Sequence, residues 1–421
     1  MNRTLGSRGF CAQDPDLIGT GLRPAVVIAA VQGQVEVLRL LLEAGADNNL
    51  ANNQGMTALM MAARRGYVEV LRLLLATGAH KNLANKQGTT ALMMAADGGH
   101  VEVMRLLLEA GADKDLANNQ GTTALMMAAC RGHVEVLRLL LEAGADKDLA
   151  DNRGVTALKM AADGGHVEVL RLLLEAGADK DLADNEGSTA LMLAADRGYD
   201  RGHVEVLRLL LEASADKNLA DNRGVTAVMM AARGGHVEVL RLLLEAGADK
   251  NLADNEGSTA LMMAARGGHV EVLRLLLEAS ADKSLADNRG VTAVMMAARG
   301  GHVVVLRLLL EAGADNNLAN NQGMTALMMA ARRGHVEVLR LLLEASADKS
   351  LADNRGVTAV MMAARGGHVV VLRLLLEAGA DNNLANNQGM TALMMAARRG
   401  YVEVLRLLLA TASWYARQSF P

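Results

Sequence analysis

The sequence predicts an all-α solenoid, elongated and curved, in which every unit is a helix-turn-helix followed by a hairpin loop. Three observations carry this. A string GHVEVLRLLLEAGADK, or a near copy, returns about every 33 residues along almost the whole chain. Each copy follows a G-x-T-A-L-M-M-A-A block. The chain is 51% apolar but only 2% aromatic, so its core is built from Leu, Val, Ala and Met. Full copies start at Gly55, Gly88, Gly121, Gly154, Gly187, Gly224, Gly257, Gly290, Gly323, Gly356 and Gly389, after a worn copy from about Leu22 in which Pro24 replaces the Thr. Such an array buries its core between neighbours, so chain length does not convert into two or three globular domains.

The copy from Gly88 to Gln120 shows how one unit forms. Thr90 can accept hydrogen bonds from free backbone N–H groups, which makes it the N-cap of a first helix over Ala91–Ala96 that ends at Gly98 and Gly99. A second helix starts near His100, with His capping it. Its Glu102, Arg105 and Glu109 form one narrow polar stripe, and Val101, Val103, Met104, Leu106, Leu107 and Leu108 cover the rest. The stripe offers Glu102–Arg105 and Arg105–Glu109 pairs, worth a few tenths of a kcal/mol each. Gly111 stops the helix, and Ala112–Gln120, rich in turn formers, becomes the loop. Helices of about two and three turns cannot cover this much apolar surface alone, so repeats must stack, roughly 8 to 10 Å apart.

The expected organisation is an irregular lead over 1–21 and a solenoid over 22–411, with the degenerate first repeat at 22–54 and eleven full repeats from 55. A tail over 412–421 follows, where Trp414, Tyr415 and Phe420 are expected to fold over the last repeat's Leu face. The fifth full copy carries four extra residues near 198–201, read as a bulge from duplication of D-R-G-Y/H. Residues 45–77 and 379–411 are identical, which points to tandem copying.

Several function classes drop out. No apolar run approaches the roughly 18 to 20 residues of a membrane span. The first twenty residues lack the apolar core of a secretory signal, so a cytoplasmic or otherwise intracellular location is expected. Cys11 and Cys130 form neither a disulfide framework nor a metal pair. Nine of ten His residues sit at the Gly-His position and are read as structural, because equivalent positions a repeat apart cannot converge on a metal at about 2 Å. His-Val-Glu lacks the P-C-x-x-C of zinc deaminases. Gly19-Thr20-Gly21 lacks a third Gly, and no phosphate loop, nucleophile elbow or kinase signature is present. No catalytic, cofactor or metal site is therefore expected, and no small-molecule substrate.

The block architecture resembles the ankyrin repeat: Gly-x-Thr opening, Ala-Ala then x-x-Gly-His, a Leu-Leu-Leu second helix, then Gly-Ala-Asp and a loop. The departures are systematic. The family's T-P-L-H reads T-A-L-M in nearly every copy, and T-A-L-K at Lys159. The Met residues suggest an adaptable seam, and pairs such as Met93 and Met94 are read as core before groove.

The resemblance implies a non-enzymatic scaffold or adaptor that binds a partner protein in its concave groove, where the end of the first helix and the loop tip face the partner. The first residue after Ala-Ala reads Arg64, Asp97, Cys130, Asp163 and Asp196, then Arg233, Arg266, Arg299, Arg332, Arg365 and Arg398. Asp97, Asp163, Asp196 and the six Arg residues are the expected partner-binding positions, acidic early and basic late. Loop-tip Arg223, Arg289 and Arg355 add to the basic part. Net charge by segment agrees: +3 over 1–87, −9 over 88–223 and +2 thereafter. Such charges also serve solvation, but this pattern would steer a partner with an acidic segment. Nucleic acid is disfavoured, because few aromatic side chains are present to stack bases. A monomer is expected. The alternatives are a regulatory or targeting arm of a larger enzyme or channel, and an expanded array without a dedicated partner. On the opposite face, Val304 and Val370 replace the stripe Glu.

Overall fold

The computed structural model describes residues 25–418, with side chains through 410. Residues 1–24, with Gly19-Thr20-Gly21 and Pro24, lie outside the described residues, as do Phe420 and the side chains of Trp414 and Tyr415 expected to cover the last repeat. The chain forms two compact units, Met1–Asp216 and Lys217–Pro421. Among the described residues each holds twelve helices in six pairs, the first unit from Ala25–Val31 to Arg201–Glu212 and the second from Ala227–Gly234 to Val402–Gln418. Within each unit, first helices pack on first helices and second helices on second helices. No helix among the described residues is long and apolar enough to cross a membrane.

The unit at Gly88 shows the local causes. Thr90 is extended, and its hydroxyl accepts the Met93 N–H at 3.4 Å, starting a helix over Ala91–Gly98. That helix runs two residues past Ala96, because Gly98 keeps helical geometry and only Gly99 turns left-handed, at φ 70°. Ala91 through Met94 and the following two Ala are buried. The second helix, Val101–Glu109, buries Val103, Met104 and Leu107. Glu102 and Arg105 pair at 3.6 Å. No Arg105–Glu109 ion pair forms among the described residues.

The loops carry the order between units. Asn118 Oδ1 accepts the N–H of Gln120 and of Thr122, both at 2.9 Å, closing the turn. An isolated antiparallel bridge joins Ala117 to Thr123. The Asn119 N–H reaches back to the Gln87 carbonyl at 3.0 Å, and the Asp113 N–H to Asn82 Oδ1 at 2.9 Å, so each loop is hydrogen-bonded to the one before it. These bonds leave few loop polar groups unsatisfied where repeats meet.

Two expectations are corrected here. The His at the Gly-His position does not cap its helix: His100 makes no side-chain cap. Its Nε2 instead meets the Arg64 carbonyl of the preceding unit at 3.1 Å, and because a carbonyl only accepts, Nε2 carries the proton. The same bond joins His133 to Asp97, His166 to Cys130, His302 to Arg266 and His335 to Arg299. The ring lies so close to the preceding Gly that a Cβ at Gly66 would sit 2.7 Å from Nδ1 of His100. The second correction concerns the insertion, which is not a bulge. Asp200 caps a second helix lengthened to twelve residues, Arg201–Glu212, by accepting the His203 N–H at 3.0 Å. His203 is buried, with Nε2 3.0 Å from the Asp163 carbonyl; its Nδ1 lies 2.8 Å from Asp200 Oδ2 without making a hydrogen bond.

Candidate functional site

Every residue of the ladder read from the sequence is exposed at the end of a first helix. The scaffold fixes the ladder's backbone. The carbonyls of Arg233, Arg266, Arg299 and Arg332 accept from His269, His302, His335 and His368 at 3.0 to 3.2 Å. The side chains are left to project while their attachment points are held.

The two units differ in how these charges are used. In the first, Asp97 Oδ1 accepts from Arg131 Nε at 2.8 Å, and Asp163 pairs with Arg197 at 3.0 Å, each time across one repeat boundary. The acidic positions are therefore largely neutralised by the Arg one place further along the next unit. Asp196 also has a partner. In the second unit, Arg266, Arg299, Arg332, Arg365 and Arg398 form no ion pair among the described residues, whereas Arg233 has a partner. Arg333 and Arg399 add exposed guanidinium groups beside them.

The loop-tip Arg residues do not add to this charge as expected. Arg223 lies 2.8 Å from Asp221 Oδ2, and Arg289 lies 3.0 Å from Asp287. Arg355 faces Asp353 at 3.7 Å and Arg153 faces Asp151 at 3.1 Å. Each of these Asp side chains is buried and also closes its own turn, as Asp221 does by accepting the N–H of Arg223 and of Val225. Burial on its own would raise the Asp221 carboxyl, but those bonds and the Arg223 guanidinium outweigh it and hold it below the usual carboxylate range. The sequence carried a signal for this pairing. A tip Arg follows Asp two places earlier in all four copies, whereas a tip Gln follows Asn, as in Asn320 and Gln322.

In the first unit a cavity of about 410 Å³ opens between loop tips and first-helix ends, among them Gln54, Arg64, Gln87, Met94, Asp97 and Met127. The loop tip and the first-helix end thus face one space. Met93 and Met94 both line that space although both are buried, Met93 to 1% and Met94 to 9%. Lys159 occupies a first-Met position and does not reach solvent: it is 1% exposed, with Nζ 2.5 Å from both Asp184 Oδ2 and the Ser188 carbonyl. Cys130 is exposed. No cluster of three or more His, Cys, Asp or Glu suited to a metal ion occurs among the described residues.

No curated protein matches the chain. A family model of three ankyrin repeats matches it six times, over residues 10–85, 78–151, 144–221, 199–287, 279–353 and 345–417. Ankyrin repeats are general protein-interaction modules and typically carry no catalytic activity. With the helix pairs, the Thr caps and the hydrogen-bonded loops in place along its described length, the chain belongs to the ankyrin-repeat family.

Proposed function

We propose that the chain is a non-enzymatic scaffold that binds a partner protein, and that the partner's docking segment is acidic and lies along Arg266, Arg299, Arg332, Arg365 and Arg398. The observation that carries this reading is the contrast in compensation. The tip Arg residues and the acidic Asp97 and Asp163 are ion-paired, whereas this row of guanidinium groups, three of them on helix ends whose carbonyl a His holds, has no carboxylate partner among the described residues. A fixed row of this kind loses little conformational freedom on binding and raises the encounter rate with an oppositely charged chain.

The test is fluorescence anisotropy with a labelled Glu-rich peptide and with a Lys-rich control, at low and high salt. Binding of the acidic peptide should weaken about tenfold or more when Arg266, Arg299 and Arg332 are changed to Glu, equivalent to about 1.4 kcal/mol. Affinity unchanged by that triple substitution refutes the proposed surface. Displacement of the peptide by duplex DNA at equal charge would transfer the row to nucleic acid.

A further inference from the structure

The chain contains its own control for what a repeat face needs. Residues 45–77 and 379–411 have the same sequence. In the first copy Leu59 and Met60 are buried, Met60 to 1%, and Val68 and Leu75 are half-buried, because the helices Ala91–Gly98 and Val101–Glu109 pack over them. In the second copy the counterpart of Leu59, Leu393, is only half-buried, Met394 is 50% exposed, and Val402 and Leu409 are 55% exposed each. An identical surface is therefore covered by a repeat in one place and open in the other.

The opposite kind of face is open on the helix Val35–Glu43. Its sequence, VEVLRLLLE, is that of the interior helix Val134–Glu142. In the interior helix Val136 is buried and Leu139 half-buried; the matching Val37 and Leu40 are 45% and 65% exposed. Interior junctions of the chain join faces of these two kinds. We propose that the face bearing Met394, Val402 and Leu409 in one molecule docks on the face bearing Val37 and Leu40 of a second copy of this chain, head to tail. The contact is heterologous, so each molecule offers one donor face and one acceptor face. It departs from the monomer expected from sequence, and it rests on none of the charge arguments made for the Arg row.

Blocking the faces one at a time tests it. Leu40→Glu closes the first face and leaves the second open; Leu409→Glu does the reverse. In sedimentation velocity the unmodified chain should associate with rising concentration, and this should persist in high salt because the contact is apolar. Each variant alone should be monomeric, with association weakened about tenfold or more, and a mixture of the two should give a 1:1 complex. Leu40→Gln and Leu409→Gln repeat the test with milder changes if circular dichroism shows either Glu variant to be misfolded. An unmodified chain that stays monomeric at every concentration overturns the proposal. Association by the unmodified chain with no complex in the mixture also overturns it.

Discussion

Replacing Lys159 with Met should make the first unit more stable, and the chain itself supplies the reason. Lys159 is fully buried and its ammonium is held by Asp184 and the Ser188 carbonyl. The repeat that begins at Gly224 has Met229 at the equivalent position and the same D-N-E-G-S loop over 254–258 that stands at 184–188. There Met229 is buried to 1% and Asp254 still closes its turn, accepting the Ser258 N–H at 2.7 Å. Met therefore fits beside this loop without a rearrangement. The substitution relieves the desolvation of the ammonium and leaves Asp184, which is partly solvent-exposed, closing its turn by accepting the Ser188 N–H as Asp254 does from Ser258, so a gain of up to about 3 kcal/mol is expected. Changing Asp184 to Ala instead strands the ammonium and should cost about 3 kcal/mol or more.

The pH dependence separates this from a simple packing effect. Burial pulls the Lys159 ammonium below its usual value, against the opposing pull of Asp184. Over the window between its folded and unfolded values the unfolded chain holds more protons, so stability rises with pH up to the unfolded value of about 10.4. Burial alone would raise the Asp184 carboxyl, but the bonds from Lys159 and the Ser188 N–H outweigh it and lower it. Its contribution is complete above about pH 3.9 and drains away as pH falls through the folded value. Lys159→Met should abolish the alkaline rise and shrink the acid loss. The assay is urea unfolding across pH, with hydrogen exchange used to assign the change to the first unit, because two units need not unfold as one transition. A Met variant that loses more than about 1 kcal/mol, or that keeps the alkaline rise, refutes the reasoning.

Further substitutions probe the scaffold. Ser214, Ser280 and Ser346 occupy left-handed backbone at φ 62°, 61° and 59° where other copies have Gly, yet Ser280 N bonds Leu277 O at 2.9 Å just as Gly111 N bonds Leu108 O at 2.9 Å. Ser280→Gly and Ser346→Gly together should raise the denaturation midpoint, each adding about 0.5–1 kcal/mol after the extra freedom of Gly in the unfolded chain is subtracted. Gly268→Ala should destabilise by at least about 1–2 kcal/mol, since its φ is 74° and the new Cβ would lie 2.6 Å from His302 Nδ1; thermal unfolding reads this. Asp97→Asn should change stability by no more than about 1 kcal/mol in the same assay, because both it and Arg131 are about half exposed.

The sequence revealed the repeats, the Thr caps and the glycine stops because each depends on residues a few places apart. What it concealed depends on the neighbouring unit. The role of His100 required knowing that the Arg64 carbonyl, 36 positions earlier, lies against its ring. The burial of Lys159 likewise depends on a loop 25 to 29 positions further on. Exposure of the ladder follows from its place at a helix end, but the ion pairing of Asp97 with Arg131 does not, since it crosses a repeat boundary. The tip Arg–Asp pairs were also missed, since those Arg residues were read as part of the basic surface, but their partners stand two residues apart and the copies within the chain carry the signal.

At eight ladder positions, from Arg64 to Arg332, the His of the following repeat grips the carbonyl and ignores the side chain. Arg64, Asp97, Cys130 and Arg266 all present the same oxygen to the same kind of ring. Architecture and display are thus written in different atoms of one residue. Substitution there redraws the surface without disturbing the stack, so a duplicated repeat can diverge in what it shows while remaining interchangeable in how it is built.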